Sequence, residues 1–93
     1  MAPMAKAVRV RIWGLVHGVS FRASMVRMAS DNGVRGWVRN LPDGSVEAFL
    51  EGDERKVQKM VEWARVGPAR ARVDRIEVEA TSPRNHRDFR IHG

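Results

Sequence analysis

Val8, Val10 and Ile12 alternate with Arg9, Arg11 and Trp13. A period of two in this stretch predicts a strand with one buried face. The alternation stops at GLVHGV, residues 14–19, where two glycines enter. From Phe21 the apolar positions become Phe21, Met25, Met28 and Ala29, the spacing of one helix face. Asn32-Gly33 then predicts the helix end, because glycine accepts the left-handed conformation that follows a last turn. Val34–Leu41 and Val46–Glu51 read as strands joined through Pro42-Asp43-Gly44. Proline presets the first turn position and glycine supplies positive φ where the turn closes. Asp53 is placed to cap a second helix with an inner face of Val57, Met60, Val61 and Ala64. Asp53 and Glu54 at its start and Arg65 near its end suit the helix dipole, and Gly67-Pro68 terminates it. A strand follows over Val73–Ala80. Val73 is out of phase with Ile76, Val78 and Ala80, which predicts a bulge or a late start. TSPRNHRD, residues 81–88, reads as a loop, and Phe89-Arg90-Ile91 as a short closing strand.

The order is β-α-β-β-α-β with a short fifth strand. Two right-handed crossovers then give an α+β, ferredoxin-like sandwich: an antiparallel sheet with two helices on one face. One domain is expected over 7–93, preceded by a loose head at 1–6. The fold hosts many functions, so the site must carry the functional argument.

Composition changes this picture in three respects. The chain of 93 residues holds seventeen Lys and Arg, fourteen of them Arg, against eleven Asp and Glu, a net charge of +6. Such a balance attracts anionic ligands and equally describes a solvated basic surface. The absence of cysteine removes disulfides, thiolate metal sites and thiol nucleophiles together, and suits a reducing compartment. MAPMAK lacks the apolar stretch of a secretory signal, and no apolar run is long enough to cross a bilayer. A cytoplasmic protein with no membrane association is the expectation.

The chemistry concentrates in GLVHGVSFR, residues 14–22. A glycine-bearing turn between strand and helix presents backbone N–H groups to a common centre, and the helix start adds its own. Such a nest binds a phosphate-sized anion. Arg22, in the first helical turn, can grip two oxygens at once. On spacing alone, the same residues also fit a loop shaped by glycines with Arg22 in solvent.

GLVHGVSFR, together with GWVRNLPDGSVEAFLEG at 36–52, resembles the acylphosphatase family. That family's signature is a Gly-x-Val-Gln-Gly-Val-x-Phe-Arg loop followed by Gly-Trp-Val-x-Asn and an Asp-Gly hairpin. The likeness runs from the first strand to the final Phe-x-Ile strand, and the family fold is the ferredoxin-like sandwich. The resemblance implies hydrolysis of the carboxyl–phosphate bond of small acyl phosphates. It implies that Arg22 and the backbone N–H groups of Leu15, Val16, His17, Gly18, Val19 and Ser20 hold the phosphate, a site that also suits inorganic phosphate or sulfate. It further implies that Asn40 holds the attacking water, with no metal and no cofactor. A carboxylate is a weakly basic leaving group, with a pKa of about 4, so it departs without a general acid.

His17 stands where the family usually has Gln; its place in a backbone nest argues for a loop position, against a general base. Trp13 and Trp37 read as packing residues and Asp43 as turn chemistry. His86 and His92 lie in a loop and tail, without metal-ligand spacing. RNA-recognition domains share this element order, but they stack bases on aromatics of the central strands. With Val46, Ala48 and Leu50 inward, the open face here would carry Glu47, Phe49 and Glu51. No nucleic-acid partner is therefore expected. A silent binder of acyl phosphates is disfavoured because Arg22 and Asn40 are both present. The short chain favours a free-standing monomer over the fused form of the domain.

Overall fold

Each strand of the sheet is set by the alternation read above, and the sheet orders them β4-β1-β3-β2-β5. The computed structural model describes residues 5–92. The elements are β1 (Ala5–Leu15), α1 (Phe21–Asn32), β2 (Arg35–Asn40), β3 (Val46–Asp53), α2 (Glu54–Ala64), β4 (Arg72–Thr81) and β5 (Phe89–Ile91). The two central strands, β1 and β3, pair antiparallel from Ala5↔Asp53 to Ile12↔Val46. Ala5 and Lys6, expected in a loose head, are thus strand residues, tied to the last two positions of β3; residues 1–4 of that head lie outside the described residues.

Val8, Val10 and Ile12 face α1 and α2, together with Val46, Ala48 and Leu50 of β3. Phe21, Met25 and Ala29 close the core from α1, and Val57, Met60, Val61 and Ala64 close it from α2. The carboxylate of Asp53 accepts from Arg55 N and Lys56 N, the cap that the first turn of α2 needs. Gly33 ends α1 at φ 66°, and Val34 N–H reaches back to Ala29 O at 2.9 Å. Val34 was expected to open β2; that bond makes it the closing residue of α1, and the strand begins one residue later.

The bulge expected near Val73 is present. Trp13 pairs with Arg75 and Gly14 with Val73, so Asp74 is the extra residue on β4.

The expectation of a wholly antiparallel sheet is corrected at β5, which runs parallel to β2 in register Val38↔Ile91. The cause is topological. β4 is antiparallel to β1, β1 to β3 and β3 to β2. A chain that reverses once after β4 therefore arrives at the far edge pointing the same way as β2. To get there, residues 82–88 cross the face of the sheet opposite the helices. That crossing corrects a second expectation: Phe49 (1 % exposed) and Glu51 (0 %) are buried beneath the strap, not open.

Candidate active site

The site lies where the ends of β1 and β2 meet the start of α1. Gly14 lies so close to β4 that a Cβ there would sit 2.1 Å from the Arg72 carbonyl oxygen, and its φ is 134°. β1 therefore ends against β4, and the chain turns away through residues 16–20. Gly18 (φ 70°) and Ser20 (φ 64°) are both left-handed, with Val19 buried between them. Gly18 has open space around it, so its requirement is conformational. Ser20 is the N-cap of α1 and makes no side-chain cap; its carbonyl accepts from Ser24 N at 2.9 Å. Among the described residues, no N–H from Val16 to Ser20 donates to a protein acceptor. A run of free donors beside a free helix start is an anion cradle.

Phe21 anchors this end of α1. It is fully buried, its ring centroid lies 5.3 Å from that of Trp63, and its edge packs against Gly67. Arg22 follows and is half-buried, with no carboxylate partner among the described residues, whereas Arg11, Arg39, Arg72, Arg75 and Arg90 each pair with one. Arg22, Asn40, Val16, Gly18 and Ser20 line one pocket of about 140 Å³ with Phe21, Ala23 and Ile91. At about 30 Å³ for each water displaced, that is room for a phosphoryl group and little more. Of the lining residues, Asn40 has its Oδ1 buried and without a hydrogen-bond partner among the described residues. A buried carbonyl oxygen without a donor is costly, and natural sites supply one.

Of the residues expected in the loop, Leu15, His17 and Val19 do not line this pocket. Leu15 is 51 % exposed, and Val19 belongs to the core. His17 reaches across to the β2–β3 turn, its Nε2 lying 2.8 Å from Ser45 O. Since a carbonyl only accepts, Nε2 carries the proton in that bond. Ser45 O also accepts from Leu41 N at 2.9 Å, directly after Asn40. His17 thus joins the loop to the turn that ends at Asn40, a link with no signal in the sequence spacing. The turn is braced further by Asp43, which accepts from Ser45 N at 2.9 Å and from Arg11 Nη2 at 2.6 Å. Hydrogen bonds from Ser45, side chain first and then backbone, hold the Asp43 carboxyl at about 2, with Arg11 adding to the effect.

Ile91 was also missed as a site residue; only the parallel pairing of β5 brings it there. A larger concavity, about 600 Å³, lies on the outer sheet face among Arg9, Arg11, Glu47, Glu77 and Glu79. Three carboxylates and no loop of free N–H groups make it a poor anion site. Trp13 on this face lies between Arg11 and Arg75, whose guanidinium carbons sit 5.0 and 4.8 Å from its ring centre. Trp37 stacks on Phe49 and His92. No helix among the described residues is long and apolar enough to cross a membrane.

The acylphosphatase family profile matches residues 8–91. The chain belongs to the acylphosphatase family. It is 51% identical to an acylphosphatase of Thermococcus kodakarensis over 90% of this chain and 92% of that one. The crystal structure of acylphosphatase from Bacillus subtilis superposes with a TM-score of 0.91 at 34% identity, covering 97% of this chain and 100% of that chain. The T. kodakarensis HypF structure also matches, at TM-score 0.82 and 33% identity; there 95% of this chain covers 12% of the larger protein. The ferredoxin-like α+β fold and an acylphosphatase hydrolase activity follow from this membership.

Proposed function

We propose that Arg22 and the backbone N–H groups of residues 16–20 hold the phosphoryl group of a small acyl phosphate while Asn40 positions the attacking water. The observation that carries this reading is the buried, unpartnered Asn40 Oδ1 in the same pocket as Arg22 and the free loop donors. Oδ1 accepts from the water, and the Nδ2 group is free to donate to a phosphoryl oxygen. The water oxygen bonds to phosphorus as the phosphorus–oxygen bond to the acyl group breaks. The carboxylate leaves with the electron pair, and both protons of the water end on phosphate oxygens. Acyl phosphate dianion plus water thus gives carboxylate and dihydrogen phosphate.

The transition state is loose, so positioning and stabilisation of the phosphoryl oxygens supply most of the catalysis. The cradle and the Arg22 guanidinium are preset for that charge. No side chain lining the pocket is a general base, which supports transfer of the proton to the substrate's own phosphate. The anion-binding loop would accept inorganic phosphate or sulfate as well.

Hydrolysis of benzoyl phosphate in the presence of chelator, with wild type beside Arg22→Ala and Asn40→Ala, tests the assignment. Metal-free turnover lost in both variants is the expected result. A pH–rate profile governed by one enzyme group near neutrality, and abolished by one substitution, would overturn the proton route.

A further inference from the structure

We propose that Ile91 is the residue that selects the acyl group, forming with Ala23 an apolar lip on which the carbon chain or ring of the substrate rests. The inference builds on the phosphate assignment above and extends it to the other end of the substrate.

The pocket has two poles. Gly18, Ser20, Arg22 and Asn40 supply its polar end. Val16 and Phe21 also line it, but both are held in the core, at 1 % exposure each. Ala23 and Ile91 are the apolar lining residues left exposed, Ile91 at 47 %. An acyl phosphate has the same polarity, with a dianion at one end and a hydrocarbon at the other. Once the phosphoryl group occupies the roughly 140 Å³ of the pocket, the acyl carbons must leave it across its rim. Rim contact with Arg22 or the loop would desolvate charge for no return, whereas contact with Ile91 removes apolar surface from water on both sides.

Ile91 is also held firmly enough to discriminate. It pairs with Val38, two residues before Asn40 on β2, and the next N–H, from His92, donates to Val38 O at 2.8 Å. Upstream, the strap that delivers β5 is fastened by Glu51, whose carboxylate accepts from the N–H groups of Arg84, Asn85 and His86. The lip therefore sits at a fixed offset from the water-holding residue.

The test compares kcat/KM for acetyl phosphate and benzoyl phosphate in wild type, Ile91→Ala and Ile91→Lys. Wild type is expected to favour benzoyl phosphate. Ile91→Ala should cut that preference about tenfold, the scale of a lost apolar contact in a binding site, with a smaller loss for acetyl phosphate than for benzoyl phosphate. Inhibition by inorganic phosphate should change less than the benzoyl preference, since phosphate is held at the polar end of the pocket and carries no hydrocarbon to rest on the lip. Ile91→Lys should shift preference from butyryl phosphate towards succinyl phosphate, whose far end carries a carboxylate. Retained benzoyl preference in Ile91→Ala, or equal losses on both substrates, would overturn the lip while leaving the phosphate site standing. Failure of folded wild type to hydrolyse either substrate would instead overturn the phosphate assignment, and the lip with it.

Discussion

Two loops in this molecule cluster backbone N–H groups around left-handed residues, and among the described residues only one of them is filled by an anion of the chain. Residues 16–20 present free backbone N–H groups around two left-handed residues, Gly18 and Ser20. Residues 84–86 do likewise around Asn85, at φ 60°, and their three N–H groups converge on the carboxylate of Glu51. His86 Nδ1 adds a further contact to that carboxylate at 2.7 Å. In the strap the anion is part of the chain, fully buried and permanently held, so the nest is a fastener. In the first loop no carboxylate among the described residues fills the nest, and under the proposed function its anion comes from outside and leaves again. What separates the two uses is whether the protein supplies its own carboxylate. No Asp or Glu approaches the Val16–Ser20 donors among the described residues, and Arg22 adds charge where the strap needs none.

The largest effect should come from removing the one charge that the binding nest has and the strap lacks. Arg22→Ala is expected to lower kcat/KM for benzoyl phosphate by about 10³-fold or more, the scale of an arginine that meets developing phosphoryl charge. Weakened inhibition by inorganic phosphate should accompany it, because Arg22 acts on the bound ground state as well. On the proposed roles, Asn40→Ala should cost about 10²-fold, chiefly in kcat, because losing the acceptor that positions the water outweighs losing the single Nδ2 contact to phosphate. Equal losses in kcat and KM for Asn40→Ala would remove the division of labour between the two residues.

The strap should fail differently, in stability before activity. Glu51→Ala removes the charged acceptor of three part-buried N–H groups and is expected to cost about 3 kcal/mol, a Tm drop of roughly 15 °C for a domain of this size. Burial alone would raise the Glu51 pKa, but the hydrogen bonds from His86, Arg84 and Asn85 outweigh it and hold the carboxyl below its ordinary value. A carboxyl depressed in the folded state stabilises the fold above its unfolded pKa. That contribution falls away as the pH drops through the ordinary glutamate range towards the folded value. Urea midpoints measured between neutral and acid pH should therefore fall for wild type and fall less steeply for Glu51→Gln. Parallel slopes would show that the strap does not depend on the ionised carboxylate.

The same contrast explains what the sequence made legible. The binding nest is written in consecutive residues: two glycines, a strand end, a helix start and an arginine all fall within GLVHGVSFR. The fold was equally open to reading, because alternation in β1 and β3 and the helical spacing in α1 and α2 are local patterns. Glu51 gave no such sign. As an alternating residue of β3 it read as outward-facing, and only the strap, arriving from more than thirty positions away, buries it. Ile91 was hidden for the same reason. Its place in the pocket depends on β5 crossing to the far edge of the sheet and pairing parallel to β2. Long-range contacts made by backbone N–H groups leave no residue-type signature, so neither could be found from composition or period.

The smallest effect is expected at the side chain that ties the binding nest to its neighbour. His17 donates from Nε2 to Ser45 O, the carbonyl that also receives Leu41 N next to Asn40. A glutamine amide offers an N–H donor at similar reach, so His17→Gln should keep the bond and change kcat less than about threefold. His17→Ala loses the bond but leaves the loop backbone intact, and a neutral contact of this kind is worth about 1 kcal/mol. That corresponds to roughly a fivefold fall in kcat if the strain is felt wholly at Asn40. The double variant His17→Ala, Asn40→Ala separates the alternatives. If His17 acts through Asn40, its removal should cost almost nothing once Asn40 is gone. An undiminished fivefold effect in the Asn40→Ala background would instead place His17's influence on the loop itself, and the two nests would then differ in side chains as well as in the source of their anion.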